Sequence, residues 1–241
     1  MPNSASGWLD NRFGGGNAFG GVGPLGPIGN FIRQQQLIQA HFAGQLNTIG
    51  NALTRRIVKK GIWRVGKLMW AASTPVHANG ARFGGWTKTK RTTNSEQNLI
   101  MNCWEGVLYL AYQCDAITRA QCINFYQSPA ASDVKLRSLF GTATVYNPPL
   151  AVPLMGDLLT FEDHNNNNIN HVAIYLGDYN GQPYVLHNLS YNGVTTGLQM
   201  GGGFHFEDMA GLIQRYAGVT VYFTTPFWVA GSPTQAYATA L

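Results

Sequence analysis

A chain of 241 residues, 45% hydrophobic and only 11% charged, is long enough for one ordinary domain with an extension or for two small domains, and its composition excludes bulk disorder. The net charge of +5 hides a division, because residues 1–91 carry +11 and residues 92–241 carry −6. The basic part suits an anionic membrane surface, an acidic protein or the chain's own acidic part; charge does not choose among these, and nucleic acid is the weakest candidate partner.

Residues 1–30 are rich in Gly, Pro and Asn and read as a flexible arm that buries little side chain. The opening residues hold neither a charged n-region nor an apolar h-region, so no Sec-type signal peptide is expected. Nor does any stretch of about eighteen apolar residues run without charge, as a membrane-crossing helix needs. The expectation is a protein made in the cytoplasm and exported by a signal-independent secretion or injection route.

Residues 31–92 read as a basic helical extension. Ile32, Leu37, Ile38, Phe42, Leu46, Ile49, Leu53, Ile57 and Val58 recur at steps of mostly three to five, while Gly44, Gly50, Gly61 and Gly66 break the pattern into two or three short helices. Arg55, Arg56, Lys59, Lys60, Arg64 and Lys67 alternate with Ile57, Val58, Ile62, Trp63 and Val65. Such a segment can lie on anionic lipid, but an ordinary helix packed by its apolar face is the preferred reading. Residues 73–95 are turn-rich and connect this extension to the next helix.

From residue 93 to 241 the pattern is that of a separate domain. Helices are expected over 102–113, 116–126 and 133–140, then strands over 157–162, 171–176, 184–189, 194–200 and 219–225. Helices followed by successive strands predict an α+β domain with an antiparallel sheet. Cys103, Cys114 and Cys122 are too few for a disulfide framework and lack the paired spacing of a zinc site, so free thiols are expected, the last two as small buried hydrophobes.

The chemically informative segment is Asn102-Cys103-Trp104-Glu105, followed by an apolar run. Asn102 with Glu105 three residues on makes a capping box that starts a helix with Cys103 in its first turn. The positive end of the helix dipole there favours the thiolate, so a lowered thiol pKa is expected, and the Cys103 N–H offers half of an oxyanion hole. His171 opens the strand HVAIYLG, whose Val172, Ile174 and Leu176 face a core, leaving the histidine to point at a helix packed alongside. His187 on the next strand is placed to orient the His171 ring, with Asn188 as the fallback if the register differs by one. Asp163 and His164 in an Asn-rich loop read as solvated rather than as metal ligands, and no cofactor is implied. His41, His77 and His205 have no companions in the sequence and receive no role.

This order of Cys at a helix start, a Gly-Asp strand at Gly156, the HVAIYLG strand and a polar residue on the next strand resembles the NlpC/P60 family of papain-like hydrolases over residues 95–190. The resemblance implies an NlpC/P60 fold, with Cys103 as nucleophile, His171 as base and His187 as orienting member. It also implies cleavage of amide bonds, most often in peptidoglycan peptides. Where the family usually carries Asp-Cys-Ser-Gly, the indole of Trp104 stands beside the nucleophile, which with Asn188 assigns it to substrate binding. The implied enzyme is a secreted antibacterial effector, with a secretion-apparatus, chaperone or immunity-protein partner. Its alternatives are a deamidase, protease or transglutaminase acting on a host protein, or a catalytically idle module of a phage or injection particle.

Overall fold

The computed structural model describes residues 27–66, 69–70, 100–127, 132–141, 144–163, 168–189, 202–216 and 218–241. The Gly-rich arm up to residue 26, the connecting segment, His77, His164 and the strand expected over 194–200 lie outside them. The described part is a mixed helix and antiparallel-sheet structure, as the α+β reading expects. No described helix is long and apolar enough to cross a membrane.

Two helices lead. Helix α1 (Pro27–Gln45) begins earlier than the apolar periodicity indicates and closes into a 3-10 turn. Helix α2 (Ala52–Ile62) comes next, capped by Asn51, whose side chain accepts from the Thr54 N–H. Ile57, Val58 and Ile62 of α2 are fully buried. Its apolar face is therefore occupied by the protein's own core, and its basic side chains turn outward, Arg56 to an exposed pair with Asp115.

Strands β1 (Met69–Trp70) and β2 (Ile100–Met101) precede α3 (Cys103–Gln113), α4 (Arg119–Gln127) and α5 (Ser132–Phe140). Then come β3 (Thr144–Val145), β4 (Leu158–Asp163), β5 (Ile169–Tyr179), β6 (Gln182–Leu189), β7 (Gly203–Asp208), α6 (Met209–Arg215), β8 (Val219–Thr224) and α7 (Gln235–Ala240). The strands form one sheet in the order β2-β1-β7-β6-β5-β4-β8-β3, antiparallel except for the β1–β2 pair. The helices over 103–140 and four of the strands fall close to their expected spans. Neither β7 nor α6 is marked by the sequence pattern, because β7 is six residues long and carries His, Glu and Asp among its aromatics.

Alternation of side chains splits the sheet into two unequal faces. Val172, Ile174, Leu176, Leu186, Phe204 and Phe206 meet α1, α2 and α3 in the main core. Leu159, Phe161, Ala173, Tyr175, Val185 and Leu189 form a smaller cluster on the opposite face, under Met209 and Leu212 of α6. Helix α3 lies so close to the sheet that a Cβ on Gly106 would stand 2.9 Å from Phe204 Cζ and 3.1 Å from Asn188 Cβ. Glycine is what lets the helix carrying Cys103 approach. Gln35 of α1 completes β7: its amide donates to Phe206 O at 2.9 Å and accepts from Phe206 N at 2.7 Å, standing where a neighbouring strand would.

Candidate active site

The capping box expected at Asn102 is formed: Glu105 N donates to the Asn102 side chain at 3.0 Å, and Asn102 N donates to Glu105 Oε2 at 2.8 Å. Tyr126 of α4 holds the other carboxylate oxygen at 2.9 Å. Cys103 is thus the first residue of a firmly started helix. Trp104 packs its ring on Phe125 and Tyr126, with centroids 5.4 and 5.6 Å away.

How a thiol on one face of the sheet meets histidines on the other is decided by the register. Strands β5 and β6 are paired from Tyr179↔Gln182 to Ile174↔Leu186 and no further, while β6 continues alongside β7 as far as Leu189↔Gly203. Beyond Ile174, β5 keeps only β4 as its partner. In that opening the Val172 N–H is directed at the Cys103 thiol, as are the N–H groups of Trp104 and of Cys103 itself. Asn188 closes the other side, its amide donating to Met101 O at 2.8 Å and Asn102 O at 3.2 Å. It therefore fastens the backbone entering α3 to β6.

His171 lies on the face opposite to α3, which corrects the expectation that it points at that helix. Both faces of β5 are core, and the imidazole is fully buried between Phe161 and Tyr216, stacked on the phenol ring at 5.2 Å. Burial also raises the Tyr216 pKa, with the nearby Cys103 as the second cause. The phenol of Tyr216 therefore stands between the two groups, stacked on the His171 imidazole and close enough to the Cys103 thiol to interact with it.

Three histidines then run across three strands. His171 Nε2 is 2.9 Å from His187 Nδ1, and His187 Nε2 is 3.0 Å from His205 Nε2. The far end of this row is fixed by the backbone, His205 Nδ1 lying 2.8 Å from the carbonyl oxygen of Gly203. A carbonyl only accepts, so His205 Nδ1 carries a proton, and in the tautomer with that single ring proton Nε2 accepts. Hence His187 donates from Nε2 and accepts at Nδ1, and His171 donates from Nε2. The lone pair of His171 is left on Nδ1, a buried nitrogen with no hydrogen-bond partner among the described residues.

His205 therefore has companions that the linear sequence does not reveal, and Glu207, to which the sequence reading gives no role, joins them. Glu207 Oε2 lies 3.2 Å from His187 Nε2 and 3.6 Å from His205 Nε2, and Arg215 at the end of α6 grips both carboxylate oxygens at 2.8 and 2.9 Å. One signal for the pair is present in the sequence: in FHFED, His205 and Glu207 are two apart and therefore share a strand face.

The electrostatics are set by burial. The His171 pKa is driven well below the ordinary imidazole value by desolvation and then by His187, and His187 is lowered to about 3 by burial and by His205. Burial alone would raise the Glu207 carboxyl, but His187, His205 and Arg215 together hold it well below the usual range. Cys103 departs from expectation: although the residue is only half-buried, desolvation of its thiol outweighs the converging N–H groups and pushes the pKa up to about 11. Thiol and imidazole are both neutral at pH 7. All three cysteines are free, with Cys114 and Cys122 buried.

No family model matches the chain, and comparisons with curated proteins and with solved structures return no match.

Proposed function

We propose that the chain is a papain-like cysteine hydrolase of the NlpC/P60 type, cleaving amide bonds and most often those of peptidoglycan peptides. The observation that carries this reading is His171 Nδ1, a buried nitrogen with no hydrogen-bond partner among the described residues, in a ring whose other nitrogen lies 2.9 Å from His187 and whose stacked neighbour Tyr216 interacts with the Cys103 thiol.

Because both partners start neutral, the proton moves as the bond forms rather than beforehand. Cys103 Sγ attacks the substrate carbonyl while its proton passes to His171 Nδ1. The imidazolium so created is stabilised through His187 by the Glu207 carboxylate, which Arg215 keeps ionised and oriented. The tetrahedral intermediate collapses with loss of the C–N bond, the departing amine taking the proton from His171. Water then hydrolyses the thioester, giving the acid and restoring the thiol. In this reading the N–H groups at the start of α3, which face the thiol, receive the oxyanion. His187 is the orienting member in this scheme, and Asn188 holds the helix instead. In the same proposal the protein is a delivered antibacterial effector, with the wall peptide as substrate and an immunity protein as partner.

Incubation of the purified protein with peptidoglycan and mass analysis of the products is the test. Release of peptide fragments by the wild type, and their loss in folded Cys103→Ala and His171→Ala variants, is expected; fragments from Cys103→Ala protein end the proposal. The raised thiol pKa favours a second reading, a catalytically idle module of a phage or injection particle. Iodoacetamide separates the two readings: labelling of Cys103 that depends on His171 supports the hydrolase, and an inert thiol supports the module.

A further inference from the structure

The cluster of His187, His205 and Glu207 has a geometry that a proton row alone does not require. Their ligand atoms, His187 Nε2, His205 Nε2 and Glu207 Oε2, are separated by 3.0, 3.2 and 3.6 Å. A triangle with these sides has a circumradius of about 1.9 Å, so a centre about 2.0–2.1 Å from all three atoms lies just off their plane. These distances match three corners of a tetrahedron. His205 Nε2 and Glu207 Oε2 lie 3.6 Å apart, a spacing that one cation bound to both would span.

Each ligand is also held from behind, as bound metals require. His205 Nδ1 donates to Gly203 O, His187 Nδ1 faces His171, and Glu207 is fixed by Arg215. A cavity of about 180 Å³ lined by Phe31, Gln34, Gln35, His205, Glu207 and Arg215 opens beside two of the three ligands.

We propose that His187, His205 and Glu207 form a binding site for one divalent cation of the zinc class. Two imidazoles and one carboxylate are a borderline ligand set, which favours zinc over the oxygen-preferring magnesium and calcium. Occupancy has a consequence that rests on the cysteine-hydrolase reading, whereas the site itself does not. With a metal on Nε2, His187 keeps its proton on Nδ1 and donates to His171 Nε2, so the proton of a neutral His171 lies on Nδ1, where the thiol proton must go. Zinc is then an inhibitor of the thiol chemistry.

The test uses the full chain, stripped with EDTA and titrated with zinc sulfate in a calorimeter. One zinc per chain is expected, with affinity unchanged in Cys103→Ala and weakened at least about tenfold in His205→Gln and Glu207→Gln, whose folding is checked by near-ultraviolet circular dichroism. Cobalt(II) loaded into the wild type reports the ligands without any substitution: a tetrahedral visible spectrum lacking a thiolate charge-transfer band is expected. Absence of binding, a thiolate band, or binding that survives His205→Gln in folded protein overturns the site. In the same titration iodoacetamide labelling of Cys103 is expected to slow about tenfold or more on zinc saturation; unchanged labelling overturns the inhibition while leaving the site standing.

Discussion

The two faces of the central sheet solve the burial problem in opposite ways. Under α1, α2 and α3 the sheet presents mainly aliphatic and aromatic side chains; among the polar groups buried there, the Gln35 and Asn188 amides fasten backbone and Glu162 pairs with Arg137. Under α6 a smaller apolar cluster shares its face with His171, His187, His205 and Glu207, which are joined to one another by hydrogen bonds and ion-pair contacts. The first face stabilises through area removed from water, and the second is tolerated because most of its polar atoms are paired, His171 Nδ1 being an exception. Substitutions on the two faces therefore differ in kind as well as in size.

The largest effect is expected on the polar face. Glu207→Ala leaves the Arg215 guanidinium without its carboxylate in a half-buried site and removes the acceptor beside His187 Nε2, a loss of about 3–5 kcal/mol by urea denaturation. A loss below about 1 kcal/mol instead means the carboxylate is not buried in a pair. On the apolar face Leu186→Ala is expected to cost about 2–5 kcal/mol, since its side chain is fully buried against Gly61 of α2. This change leaves the pH dependence of stability as in the wild type.

That pH dependence is the sharper discriminator. His171 and His187 have folded pKa values below the ordinary 6.5, so as pH falls the unfolded chain takes up protons that the folded chain refuses, and stability drops. The expected slope in metal-free protein is about 1.4 kcal/mol per pH unit for each histidine, beginning near pH 6.5 and continuing for His187 to about 3. Glu207 has the same sign: its contribution is present above the ordinary 4.5 and is lost as pH falls through its depressed folded value. Urea midpoints between pH 8 and pH 4 measure the slope, and His187→Gln should flatten it while Leu186→Ala does not. A flat wild-type profile breaks the distinction between the faces.

The smallest effect joins the faces. Asn102→Ala removes the helix cap and is expected to cost about 1 kcal/mol, with altered iodoacetamide labelling of Cys103 because the N–H groups around the sulfur lose their register.

The apolar face is largely legible in the sequence, because Val172, Ile174 and Leu176 alternate cleanly and the Asn102–Glu105 box announces a helix start by chemistry local to four residues. The polar face is legible only as isolated letters. His171 and His187 sit on strands with strong patterns, but His205 and Glu207 lie on a six-residue strand with a weak one, and their meaning comes from the His187↔His205 register, which no window along the chain contains. The thiol pKa escapes sequence reasoning for a related reason: the dipole at a helix start is local, whereas the desolvation that outweighs it is a product of tertiary packing, with the sulfur set against the backbone of Val172.

The carbonyl of Gly203 matters beyond the ring it touches. It accepts and cannot donate, so in a row of singly protonated rings it decides which way each proton from His205 to His171 points. The direction of the wire is thus written in the main chain, and exchanging a side chain can cut the wire while leaving intact the backbone oxygen that sets its direction.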